Sequence, residues 1–108
     1  MAAKEKTLEN LEKLQKLYQL GGYGSELVER TLDKIIAQEI AAAQRDAAGL
    51  QNRLQRFEAQ YEMSSADFYR RFQTGELGDD MDWVEWSIFY EMWLSVRERL
   101  AILESEAS

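Results

Sequence analysis

The chain contains no cysteine, no histidine and no proline. Without cysteine there are no disulfides, no thiol nucleophile and no cysteine-held zinc or iron–sulfur centre. Without histidine the commonest general base and commonest metal ligand are missing. Without proline nothing interrupts a helix by removing a backbone donor, so helices can run long. No stretch approaches the roughly 20 apolar residues a membrane-spanning helix needs. The opening MAAKEKTLENLEKL is charged and lacks the apolar centre of a signal peptide, so a cytoplasmic protein with no membrane partner is expected.

What is present points to helix. The 108 residues, 45% apolar and 31% charged, suit one soluble domain, 1–108. The net charge of −7 is unevenly placed: residues 74–108 hold two bases and nine acids, and the remainder is close to neutral. Such a third repels nucleic acid and attracts a basic protein partner.

Four helices are expected, at 1–20, 25–62, 64–74 and 80–104. Over the first, leucines at 8, 11, 14, 17 and 20 wind round the helix, with Leu11, Leu14 and Tyr18 as the tightest stripe. Three glycines in residues 21–24 break it, and Ser25 is placed to cap the next helix. Beyond Val28, Leu32 and Ile36, spaced by four, the long helix carries Ile36, Ile40, Ala43, Ala47, Leu50, Leu54, Phe57 and Tyr61 in alternating steps of four and three. That is a coiled-coil seam. A helix of some 37 residues is roughly 55 Å long at 1.5 Å per residue, against a radius of gyration near 13 Å for a domain of this size. Either it bends near Gly49, or a second chain covers Ile36, Ile40, Ala43, Ala47, Leu50 and Leu54. The second is expected, with Ala43, Ala47 and Gly49 allowing close approach.

Met63-Ser64-Ser65-Ala66-Asp67-Phe68 is a helix start with Ser64 as cap, Asp67 to answer it, and a Met63–Phe68 staple. In the last helix Trp86, Phe89, Trp93, Val96, Leu100 and Leu103 repeat the seam, and Asp79 or Asp80 caps its start. Trp83, Tyr90 and Leu94 form a second, rotated patch. The architecture expected is all-α: elongated antiparallel helical hairpins around one long central helix, coiled-coil-like and dimeric.

No catalytic, cofactor or metal residue emerges. Asp79, Asp80, Asp82 and Glu85 sit where helix capping wants acids and miss the calcium-loop pattern. The Gly-rich 21–24 turn lacks the strand and lysine of a phosphate loop. Arg53, Arg56, Arg70 and Arg71 are expected to pair with acids of the last helix. Residues 63–93 hold eight of the twelve aromatics, more than one seam can bury, and tryptophan and tyrosine anchor interfaces. Tyr69, Asp79, Asp80, Asp82, Trp83, Tyr90 and Leu94 are therefore the partner-binding residues expected.

The stretch MSSADFYRRFQTGELGDDMDWVEWSIFYEMW, 63–93, with the upstream TLDKII helix, resembles a motif of small bacterial and archaeal helical proteins. These are taken to be antitoxin halves of type II toxin–antitoxin pairs. The resemblance implies a non-enzymatic protein-binding module that covers a basic toxin encoded by a neighbouring gene. Residues 1–24 have neither a ribbon-helix-helix strand nor a basic recognition helix, so no nucleic-acid partner is expected. The alternative reading is a self-assembling structural coiled-coil protein with no dedicated partner.

Overall fold

The computed structural model describes residues 2–105. Among these, the chain forms four α-helices and no strand: α1 Ala2–Leu20, α2 Ser25–Tyr61, α3 Ser65–Gln73 and α4 Met81–Glu104. The boundaries follow the sequence to within about a residue. The fold is all-α. Where the sequence reads as one domain, the chain divides into two compact units, Met1–Gln38 and Glu39–Ser108.

The first unit is a hairpin of α1 and the start of α2. Its turn begins where the Gly21 N–H reaches back to the Leu17 and Tyr18 carbonyls at 3.3 and 3.0 Å. Gly24 then takes the place expected of Ser25 at the start of α2, because its carbonyl accepts the Val28 N–H at 3.2 Å. Ser25 lies inside the helix, and its hydroxyl is buried with no hydrogen-bond partner. The Tyr18 hydroxyl donates to Glu29 Oε1 at 2.6 Å and ties the two helices together. No residue of this unit is buried among those described.

The second unit packs the rest of α2 antiparallel to α4, with α3 laid across them. Its centre is Leu54, Phe68 and Trp86, one residue from each of the three helices, and the two aromatics are fully buried. The antiparallel register runs from an Arg99–Glu39 ion pair at 2.7 Å, through Phe57 stacked on Trp86 at 5.4 Å, to Tyr61 beside Trp83 at 4.6 Å. α2 stops after Tyr61 because Glu62 adopts the left-handed conformation, φ 53°, a common way to end a helix.

α3 forms for the local reasons its sequence advertises. Ser64 accepts the Asp67 N–H at 3.1 Å, and Met63 packs on the core near Phe68. The reciprocal half of the cap differs from expectation. The Asp67 carboxylate turns to Arg70 at 2.7 Å and Arg71 at 3.8 Å, and Glu58 of α2 takes the Ser65 N–H at 2.9 Å. The helix ends in a Schellman turn: the Glu76 N–H bonds the Arg71 carbonyl at 3.1 Å and the Gly75 N–H that of Phe72 at 3.2 Å.

The seam assigned to a second chain is largely closed by the chain itself. Ala43, Leu50 and Leu54 are buried, and Ile40 and Ala47 are half-buried. Ala43 lies by Ser95 and Val96 of α4, Leu50 by Met92 and Val96, and Leu54 in the aromatic core. Of the six seam positions, Ile36 stays exposed, in the first unit. At Gly49 no helix approaches closely, since a methyl built there would meet nothing within 4 Å.

Candidate interaction surfaces

In the second unit aromatic rings gather around Trp86. Phe68 stacks on it with centroids 3.9 Å apart and planes 2° from parallel; Phe57 covers it from α2, and Trp83 and Tyr61 flank it at 6.1 and 5.9 Å. The buried indole N–H needs an acceptor, and Ser65 Oγ supplies one at 2.9 Å. Two arginines lie over outer rings, Arg53 on Phe89 at 4.9 Å and Arg97 on Trp93 at 4.8 Å.

Five of the seven residues expected to meet a partner are engaged inside the chain. Trp83 is half-buried against Phe68 and Tyr61. Tyr90 lies between Tyr69 at 5.0 Å and Trp93 at 5.9 Å. The Tyr69 hydroxyl donates to Glu91 Oε1 at 2.6 Å, and that bond to a carboxylate raises the tyrosine pKa above its usual value. Asp80 caps α4 by accepting the Asp82 N–H at 3.1 Å, and Asp82 accepts the Tyr61 hydroxyl, which raises the Tyr61 pKa in the same way. Asp79 and Leu94 are exposed, and Leu94 lines a shallow groove with Tyr90, Trp93 and Arg97. The second aromatic patch thus has α3 as its neighbour.

The arginines also fall otherwise than expected. Arg70 and Arg71 pair with Asp67, one turn back on their own helix, and its carboxyl is held below the usual range by the Arg70 bond. A short helix offers an ion partner three or four residues away at less conformational cost than a distant one. Arg56 lies with Arg53, Phe89 and Glu85 along a shallow surface between α2 and α4.

Two surfaces emerge that composition did not single out. On α4, Met81, Ile88 and Met92 are exposed, with exposed Glu85 between them. Their steps of four, three and four place all four on one face. That spacing was readable, but the tryptophan stripes of the same helix outweigh it in any ranking by aromatic content. In the first unit, Leu11, Leu14 and Tyr18 of α1 and Val28, Leu32 and Ile36 of α2 wall an open groove of about 570 Å³, rimmed by Gln15, Gln19, Glu29 and Asp33. Each wall was visible as a stripe; their facing one another was not.

Among the described residues no three acids converge closely enough to hold a metal ion, and no helix is long and apolar enough to cross a membrane. No protein family, curated protein or solved structure matches the chain.

Proposed function

We propose that this chain is a non-enzymatic protein-binding module of the antitoxin type, and that the outer face of α4 grips a basic protein partner. The observation that supports this is an unfinished helix. α4 carries three apolar stripes, and an apolar stripe on a helix is normally packed against a neighbour. Trp86, Phe89 and Trp93 pack toward α2, and Trp83 and Tyr90 toward α3, while Met81, Ile88 and Met92 remain exposed. Methionine suits such a face because its flexible thioether conforms to a partner. The surroundings select the partner's charge: Glu39–Ser108 holds fourteen acids against seven bases, a balance of −7. A field of that sign speeds encounter with a basic surface.

The test is co-expression with the product of the adjacent reading frame, followed by co-purification and a toxicity assay. A complex that weakens as salt rises, and is lost in Met81→Gln/Ile88→Lys with unchanged melting temperature, supports the reading. No complex and no relief of toxicity, or a complex indifferent to that double change, overturns it.

A further inference from the structure

The α1–α2 hairpin carries an open apolar groove of its own. Among its described residues none is buried. Leu8, Leu11, Leu14, Leu17, Leu27, Leu32, Ile35 and Ile36 are each between 39% and 64% exposed. Two helices alone cannot enclose such side chains, because a helical pair has no second layer to close its apolar stripe. The groove between them is apolar on both walls and polar only at its rim.

Charge decides between occupants. Met1–Gln38 carries six bases and six acids, a balance of zero, so the whole net charge of −7 lies on the second unit. A basic protein finds no net field at the hairpin and is drawn to the second unit instead, and a polyanion finds none either. A hairpin of mixed, balanced charge around an apolar stripe is well matched by the hairpin of a second copy, which brings the same stripe and the same balance of zero, the −7 of each copy being carried on its second unit. A two-fold axis makes such a contact self-complementary.

We propose that two copies of this chain pair through their α1–α2 hairpins, each closing the other's groove, to form a four-helix bundle. Leu11, Leu14, Leu32 and Ile36 become its core. The pairing uses residues of the first unit alone and does not depend on the function proposed for α4.

Sedimentation or multi-angle light scattering of the full chain at micromolar concentrations tests this. The expected mass is twice the 12.6 kDa of one chain, unchanged when salt is raised. Leu14→Glu/Leu32→Glu is expected to sediment as a monomer. Its tryptophan emission should match the unaltered protein's, since Trp83, Trp86 and Trp93 all lie in the second unit. Met81→Gln/Ile88→Lys should remain a dimer. A second measurement covers the event that the glutamates unfold the hairpin. The chain has no thiol of its own, so Gln15→Cys, at the groove rim, gives a single reactive site. A short bis-maleimide should convert it to covalent dimer, and Gln60→Cys, exposed on α2 and 24 residues beyond Ile36 on that helix, far less. A monomeric wild-type chain overturns the proposal, as does a dimer cross-linked as well through position 60 as through position 15.

Discussion

Trp86 of α4 donates its indole N–H to Ser65 Oγ of α3 at 2.9 Å, and both residues are buried. This bond fixes how α3 lies over the aromatic core, because the indole plane also stacks on Phe68, three residues after Ser65. Removing the hydroxyl leaves a buried donor unpaired, at a cost of about 1–3 kcal/mol. Ser65→Ala is expected to lose that much in urea unfolding. In a Trp86→Phe background, where no donor remains, the same change should cost much less. Equal costs in the two backgrounds would show that the bond is not formed.

Gly49 and Gly75 are both open to solvent, yet alanine at the two sites should act in opposite directions. A methyl at either would meet nothing within 4 Å. Gly49 is in the middle of α2, where alanine is the better helix former by about 0.8–1 kcal/mol. Gly75 has φ +83° and closes the Schellman turn of α3, a conformation an alanine side chain disfavours by about 1–2 kcal/mol. Gly49→Ala should therefore raise the melting temperature and Gly75→Ala lower it.

Tyr61 and Tyr69 are held protonated by Asp82 and Glu91, and both pKa values lie above tyrosine's ordinary one. Below about pH 10 the folded and unfolded chains both keep these protons, so the bonds contribute in full. Above it the unfolded chain loses them first, and stability falls as pH rises through the folded values. Melting temperatures taken across the alkaline range should decline, and less steeply in Tyr69→Phe. Asp67 behaves in the opposite sense, because its folded pKa is depressed by Arg70. Its contribution is present above the ordinary carboxyl range and disappears as pH falls through the folded value. Asp67→Asn should flatten the acid limb.

The Arg99–Glu39 pair joins the C-terminal part of α4 to the middle of α2 at 2.7 Å, but its side chains are 64% and 44% exposed. Exposed pairs contribute about 0–1 kcal/mol and less in salt. A double-mutant cycle on Arg99→Ala and Glu39→Ala should give a coupling at the bottom of that range. A larger value would mean that this end of the helix pair is held by the ion pair more than by the packing around Ala43.

The chain's helical elements were legible because their causes are local. The absence of proline, the glycines at 21–24, and the caps at Ser64 and Asp80 act within a turn of where they stand. The heptad steps of α2 and α4 likewise announced that two stripes must be covered. What covers them was not legible, because a stripe states that it is apolar and not which surface it will meet. The seam from Ala43 to Leu54 invited a second chain, but α4 and α3 of the same chain occupy it. Trp83 and Tyr90 looked like spare anchors, but α3, tethered close by in sequence, supplies Phe68 and Tyr69 to meet them. Conversely, Met81, Ile88 and Met92 and the groove walls from Leu11 to Ile36 stand out only once the stronger stripes are seen to be satisfied. The sequence alone determined an all-helical chain, its helix ends and its charge imbalance, since backbone preferences and formal charges belong to residues singly or in short runs. Tertiary structure decided which apolar faces close on one another and which stay open, since burial depends on residues brought together from distant parts of the chain.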